Sequence, residues 1–424
     1  MIKVAILGVG TVGTAVAAIL ERNSAIIQAR SGKKIVPVIG VVKNLDKKRD
    51  TNLELTDDME AVLERDDIDI YVELLGGVQG PHEILKRILA KGKPVVTANK
   101  ALLAYHRYGL QAVANGIGIG FEASVAGGIP IIKALREGLS ANHIKSIQGI
   151  MNGTSNFILT KMMNEKVSFD EVLKEAQELG YAEADPTFDV GGFDAAHKLL
   201  ILASIAYGVH GDPEDILIEG IERISQEDIY FAKEFEYTIK LLGIAKRRGT
   251  QVELRVHPAM VPSNKMIAKV DGVMNGISVI GDAVGETMYY GPGAGGEATA
   301  SSVIADIIDI AREGKSSPML GFKNPLEEIA LTLMPQDEIK TKYYIRMLVK
   351  DQKGVLATIA SILGDCDISI DSLLQKPDTE DNDDEVTLLF ATHTCKESDV
   401  KRALEKITAL EFVITQPHMI RIEE

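Results

Sequence analysis

Two hydrophobic rhythms divide the chain. Residues 2–7, IKVAIL, form an unbroken apolar run bounded by glycine, as in a strand covered on both faces, and Ala15, Val16, Ile19 and Leu20 then recur at helical spacing. Further apolar runs at Val36–Val42, Asp69–Leu74 and Pro94–Thr97 read as strands, Pro81–Ala90 reads as a helix, and Gln111–Ala114 is expected to add a last short strand. Strands alternating with helices predict a parallel, doubly wound α/β sheet.

Beyond Gly116 the pattern changes. A strand in IKSIQGI leads through the polar turn Asn152–Asn156 into a helix for which Thr154 or Ser155 is the expected cap. Residues 170–180 predict an amphipathic helix with Val172, Leu173, Ala176 and Leu179 inward and Gly180 at its end. Leu199–Tyr207 is apolar enough to predict a largely buried helix. Strands are expected at Ile239–Ala245, at Val252–Val256 with His257-Pro258 closing it, at Val270–Val273 and at Ser278–Gly281. A helix from about Thr299 to Ala311 is expected to return to the first domain. After a break marked by Ser316, Ser317, Pro318 and Pro325, the segment from Tyr343 reads strand, helix, strand, strand, helix, strand, a ferredoxin-like βαββαβ unit with an acidic loop at 378–385.

The chemistry begins at GVGTVG, where Gly8, Gly10, Thr11, Val12 and Gly13 follow a strand and open a helix. In that context the glycines permit the turn, the approach of a pyrophosphate and close helix packing, so the pattern predicts a Rossmann-type dinucleotide site. The second strand ends in Lys43 and Asn44 with Lys47, Lys48 and Arg49 close behind, which favours a 2′-phosphate and hence NADP(H), although Asp46 leaves NAD(H) open. Lys100, in TANKALLAYH, is expected at the mouth of a later strand, placed either to neutralise a cofactor phosphate or to approach a substrate.

GYAEADPTFDVGGFDAAHKLLILASI, residues 180–205, brings together Glu183, Asp189, Asp194 and Lys198. Asp194 and Lys198 are four apart on one helical face, acid before base. Three carboxylates are thus expected to converge on one amine whose burial tunes its proton affinity. Two glycine-dense loops, one around Glu122 and one through Pro292, Gly293, Gly295, Gly296 and Glu297, offer backbone carbonyls and amides to ligands.

Length and composition fit this division. A chain of 424 residues is long enough for two or three domains, and 46% hydrophobic residues with 5% aromatics give it an aliphatic core. A net charge of -15 excludes general nucleic-acid binding. Cys366 and Cys395 have no metal spacing and fit a reducing compartment. With no leader-like start and no membrane-length apolar run, a soluble cytoplasmic protein is expected.

Several of these motifs, in this order, carry a resemblance: GVGTVG at 8–13, TANKALLA at 97–104, FEASVAGGIPII at 121–132, IMNGTSNFIL at 150–159, GYAEADPTFDVGGFDAAHKL at 180–199 and GPGAGGEATA at 291–300. The chain resembles the bacterial homoserine dehydrogenases that carry a C-terminal ACT domain, over essentially its whole length. The resemblance implies NAD(P)H-dependent interconversion of L-aspartate 4-semialdehyde and L-homoserine, in threonine, methionine and isoleucine synthesis. It implies Lys198 as general acid and base, Lys100 as a second functional lysine, Glu183, Asp189 and Asp194 as substrate carboxylates, and Thr97 and Gly296 beside the cofactor. It further implies sodium or another monovalent cation on backbone oxygens of Glu122, Val125, Gly127 and Ile129. For the ACT domain it implies an effector site at Asp351, Gly354, Val355 and Leu356, with L-threonine as the expected effector, and a homodimer or homotetramer. The domains are then 1–130 for the nucleotide, completed by about 297–320, 131–296 for substrate and dimerisation, a linker at 321–342, and the ACT domain at 343–424. The competing readings are another amino-acid dehydrogenase, or a non-catalytic sensor of nucleotide and amino acid, for which an aligned proton donor has no use.

Overall fold

A computed structural model describes residues 1–313, 318–323, 331–377 and 384–423 of the chain. The N-terminal unit runs β1 (Ile2–Leu7), α1 (Thr11–Arg22), α2 (Ser24–Ser31), β2 (Ile35–Val41), β3 (Leu55–Thr56), α3 (Met59–Leu63), β4 (Ile70–Glu73), α4 (Gln79–Ala90), β5 (Val95–Thr97), α5 (Lys100–Ala114) and β6 (Ile119–Gly120). All six strands are parallel, in the order β3-β2-β1-β4-β5-β6. The order reverses between β1 and β4, and a crevice opens there at the carboxyl ends of the strands. Gln111–Ala114, expected as a strand, is instead the last turn of α5. The Asn99 side chain caps that helix by accepting from Leu102 N, and the 15-residue helix carries its buried stripe from Leu103 through Leu110 to Ala114, inside the segment.

The middle of the chain contributes α6 (Ile131–Lys133, continued by a π turn to Gly138), β7 (Ile144–Ile150), α7 (Gly153–Glu165), α8 (Phe169–Glu178), α9 (Thr187–Val190), α10 (Phe193–Tyr207), β8 (Leu217–Ile218), α11 (Gln226–Glu234), β9 (Tyr237–Arg248), β10 (Gln251–Pro262), β11 (Met274–Gly281), β12 (Gly285–Pro292) and α12 (Gly296–Glu313). The β9–β10 hairpin pairs all the way from Gln251 against Arg248 to Pro262 against Tyr237, so β10 continues through His257-Pro258 rather than ending there. Val270–Val273 is not a strand, since β11 begins at Met274. Leu179, expected inward, is 54% exposed, because α8 has ended and Gly180 turns left-handed at φ 76°. Helix α12 starts at Gly296, three residues before the expected Thr299, and its Val303, Ile304 and Ile307 pack with Val4, Val16 and Leu20 of the nucleotide unit.

The C-terminal part contains β13 (Thr332–Leu333), β14 (Lys340–Lys350), α13 (Val355–Asp365), β15 (Ile370–Pro377), β16 (Glu385–Thr392), β17 (Cys395–Lys396), α14 (Glu397–Thr408) and β18 (His418–Ile422). The βαββαβ order is as the sequence predicts, with β18 starting later than the apolar run from Val413. The break at Ser316, Ser317 and Pro325, part of the linker, and residues 378–383 of the acidic loop lie outside the described residues. The sequence does not foreshadow one feature. Strand β18 pairs in parallel with β10, Ala259 against Arg421 and Met260 against Ile422, so the two domains share one sheet in the order β12-β11-β7-β9-β10-β18-β14-β16-β15.

Candidate active site

The crevice at the strand-order reversal is a cleft of about 360 Å³ lined by Gly8, Gly10, Thr11, Val12 and Gly13 on one side and Leu74, Ala98, Asn99 and Lys100 on the other. Gly8 adopts φ 104°, and a Cβ at Gly13 would stand 2.4 Å from the Gly8 carbonyl oxygen, so both positions demand glycine. Gly10 N-caps α1 without a side-chain bond, leaving the first N–H groups of the helix to a phosphate. These residues fit the pyrophosphate of a dinucleotide.

Lys43 is exposed just beyond β2. Arg49 ties the basic loop to the glycine turn: its Nε donates to the Val9 carbonyl at 2.8 Å, and its Nη1 to the carbonyls of Asn44 and Lys47 at 2.9 and 2.8 Å. Thr97 lies beneath the cleft rather than in it. It is fully buried and donates to Glu73 at 2.5 Å, while burial raises the Glu73 carboxyl against the opposing bonds from Thr97 and the Leu75 N–H.

A second hollow, of about 440 Å³, is lined by Lys100, Asn152, Thr154, Asp189, Asp194, Lys198, Asn275 and Gly293 among others. Helix α10 delivers Asp194 and Lys198 from its first turns, and Lys198 Nζ donates to Asp194 Oδ2 at 2.7 Å and to the Met151 carbonyl at 2.7 Å. Lys100 Nζ, from the start of α5, sits 2.7 Å from Asp194 Oδ1. Both Asp194 and Lys198 are buried. Burial pushes the Asp194 carboxyl up, yet the two ammonium groups outweigh it and hold the group well below the usual carboxylate range. Burial lowers Lys198, with Asp194 opposing and Lys100 adding to the fall. The Asp189 carboxyl is raised, chiefly by burial.

Asn152 organises this cluster, a role the sequence reading did not give it. Its Nδ2 donates to Asp189 Oδ1 at 2.8 Å and to Asp194 Oδ2 at 2.9 Å, while its Oδ1 accepts from Ser155 N at 2.8 Å. Asn152, not Thr154 or Ser155, therefore caps α7, because the residue just before the helix holds the extended backbone a cap needs, at φ -123° and ψ 114°. Thr154 instead donates to the Tyr181 carbonyl, and Ser155 to that of Asp189. His197, also missed, is buried edge-on between Tyr105 and Phe188.

Glu183 does not join the cluster. It is exposed, does not line the hollow, and its backbone carbonyl accepts from Gln177. The structure thus brings two carboxylates and two amines together where three carboxylates and one amine were expected.

The two glycine loops meet above the site. Gly293 and Gly295 line the second hollow, and Gly296 packs on Thr11 of α1. The Glu122 carboxylate is spent on capping α6, accepting from Ile132 N at 2.8 Å and Lys133 N at 2.9 Å, and burial beside Asp306 pushes it up to about 7. Only the backbone oxygens of that buried loop, including Val125, Gly127 and Ile129, are then left for a cation, and Ile129 already accepts one bond from Ile131 N. Among the described residues no cluster of three or more His, Cys, Asp or Glu side chains is placed to hold a metal ion, and no helix is long and apolar enough to cross a membrane. In the C-terminal unit Asp351 is exposed, Gly354 caps α13 at φ 92°, Val355 is buried and Leu356 is exposed.

Lys100 lines both hollows, so a dinucleotide in one cleft and a polar molecule in the other would meet at the same ammonium. That junction defines a nicotinamide-dependent oxidoreductase acting on a small polar substrate, with a βαββαβ regulatory-type module attached. Known families match the same three parts: "Homoserine dehydrogenase, NAD binding domain" over residues 8–119, "Homoserine dehydrogenase" over 130–308 and "ACT domain" over 343–412. The chain belongs to the homoserine dehydrogenase family. It is 54% identical to the homoserine dehydrogenase of Helicobacter pylori over 100% of this chain and 99% of that one, and 40% identical to that of Bacillus subtilis over 100% and 98%. The crystal structure of a homoserine dehydrogenase from Thiobacillus denitrificans superposes with a TM-score of 0.92 at 46% identity, covering 100% of this chain and 98% of that one. A hyperthermophilic archaeal homoserine dehydrogenase in complex with NADPH superposes with a TM-score of 0.62 at 30% identity, covering 73% and 97%. The chain is thus an NAD(P)-dependent homoserine dehydrogenase, and neither the sensor nor a different dehydrogenase is favoured.

Proposed function

We propose that Lys198 moves the proton in the interconversion of L-aspartate 4-semialdehyde and L-homoserine, with Lys100 as its electrostatic partner. The observation that carries this is a hydrogen-bond count. An ammonium has three N–H groups; Lys198 commits one to Asp194 and one to the Met151 carbonyl, which leaves the third for a substrate oxygen in the hollow it lines. The nicotinamide supplies or accepts the hydride when bound in the neighbouring cleft. As charge grows on the carbonyl oxygen, Lys198 stabilises it and donates the proton; in the reverse direction the neutral amine takes it back. Asp189 and Asp194 hold the substrate's ammonium or hydroxyl, and the exposed Glu183 serves only if its loop turns inward on substrate.

NADP(H) is the favoured cofactor, read from Lys43 and the loop that Arg49 secures. A monovalent cation such as sodium on backbone oxygens of Glu122, Val125, Gly127 and Ile129 would brace the loop next to α12 without taking part in the chemistry. L-threonine at Asp351, Gly354, Val355 and Leu356, a homodimer or homotetramer, and a cytoplasmic setting complete the reading. The test is oxidation of L-homoserine by purified protein with NADP+ and NAD+ supplied separately in the presence of sodium. Higher kcat/KM with NADP+ is expected, and a preference for NAD+ reverses the cofactor reading. A threonine titration that moves neither rate nor melting temperature removes threonine as effector.

A further inference from the structure

Arg421 lies on β18, in the ACT domain, and is fully buried. Within that domain it donates to Glu397, from Nε at 3.0 Å. Across the domain boundary it grips Glu219 with both terminal nitrogens, Nη1 to Oε2 at 2.7 Å and Nη2 to Oε1 at 2.8 Å. This is the bidentate fork that fixes a carboxylate in direction as well as in place. Burial opposes the charge on each partner, but the pair overcomes it: the Glu219 carboxyl is lowered and the Arg421 guanidinium raised.

Glu219 begins a short strap laid against the active site. Its N–H donates to the Val256 carbonyl of β10 at 2.8 Å, and two residues on the Ile221 N–H donates to the Val190 carbonyl at 2.9 Å. Between them Gly220 passes so close that a Cβ there would stand 2.7 Å from the Val190 carbonyl oxygen. The Glu219 carbonyl in turn lies 3.4 Å from where a Cβ on Gly192 would be. Val190 follows Asp189, and Gly192 is the N-cap of the helix that carries Asp194 and Lys198. A backbone hydrogen bond thus joins the strap to the residue after Asp189, and the strap passes close to the N-cap of the helix that carries Asp194 and Lys198.

We infer that Glu219, clamped by Arg421 of the ACT domain, is a positioning residue for the dehydrogenase reaction: it fixes the strap at 219–221 and through it Asp189 and the start of α10. Neither residue touches the hollow where the chemistry occurs, so the effect is on substrate placement rather than on the cofactor. The clamp also gives the ACT domain a physical hold on the catalytic turn, since a shift of β18 pulls on Glu219.

Two variants test this through different atoms. Glu219→Gln weakens the clamp at nearly unchanged volume. Gly220→Ala leaves Glu219 and Arg421 intact and pushes the strap off the Val190 carbonyl. In each, the KM for homoserine is expected to rise roughly tenfold, the equivalent of about 1.4 kcal/mol of lost substrate binding, with NADP+ affinity and melting temperature close to wild type. A wild-type homoserine KM in either variant overturns the inference. So does a homoserine KM that rises only together with weakened NADP+ binding and a large loss of melting temperature, which marks general loosening of the fold.

Discussion

Lys100 and Lys198 share one carboxylate, their ammonium nitrogens lying 2.7 Å from Oδ1 and 2.7 Å from Oδ2 of Asp194. Two cations so close would repel, and the buried anion between them is what makes the arrangement tolerable. Asp194 consequently stays ionised and Lys198 loses proton affinity to burial, the direction that the proposed proton exchange requires of the amine.

Removing that amine is expected to strike turnover rather than the nucleotide. Lys198→Met should lower kcat by about 10²–10⁴-fold, the usual worth of a positioned general acid. NADP+ affinity, measured by fluorescence titration, should change little, because Lys198 does not line the dinucleotide cleft. Near-normal kcat would move the proton transfer to another group.

The pH profile has a definite sign. With Lys198 as the proposed proton-transfer group, homoserine oxidation uses its neutral form, so kcat/KM should rise with pH through an amine pKa lying below that of an ordinary lysine; aldehyde reduction uses the ammonium and should fall over the same range. Asp194→Asn removes the charge that favours the ammonium. The oxidation limb should then move to lower pH, by about 1–3 units for loss of an adjacent opposite charge. A shift to higher pH, or none, would uncouple the two residues.

The legible parts of the fold are those in which neighbours in sequence are neighbours in space. GVGTVG specifies its own turn, and Asp194 and Lys198 meet because four residues make about one helical turn. Asn152 could be read as a turn residue but not as the donor to Asp189 and Asp194, which are 37 and 42 positions away. The same limit explains Glu183. It lies between Gly180, which turns left-handed, and Pro186, and only the packing of α9 decides which way that loop faces. The strand limits of β9 and β10 follow from their mutual pairing, and the join of β10 to β18 depends on an edge more than 150 residues distant in sequence.

Asn152→Ala should expose how much the site owes to that one amide. It takes one donor each from Asp189 Oδ1 and from Asp194 Oδ2, which keeps Lys198, and strips the cap from α7. The cap alone predicts a stability loss of about 0.5–2 kcal/mol by chemical denaturation. The homoserine KM should rise tenfold or more, because the Asp189 carboxylate is freed to turn while Asp194 stays held by the two lysines, at roughly the cost of one charged hydrogen bond, about 1.5–3 kcal/mol. A stability loss with unchanged KM would confine Asn152 to capping.

The proposed preference for NADP(H) draws on a loop rather than on a single side chain. Lys43 is exposed, whereas Arg49 is committed to three carbonyls and holds residues 44–47 against Val9, beside the glycine turn. If the loop presents Lys43 to a 2′-phosphate, Lys43→Ala should weaken NADP+ and leave NAD+ nearly untouched. The loss should be about tenfold, as for removal of a charge-assisted bond of about 1.5 kcal/mol. Arg49→Ala frees the whole loop, so it should impair NADP+ at least as much and, by disturbing the turn through Val9, should also raise the KM for NAD+. Steady-state kinetics with both cofactors separate the cases: equal losses for NADP+ and NAD+ in Lys43→Ala would show that this lysine does not read the 2′ position.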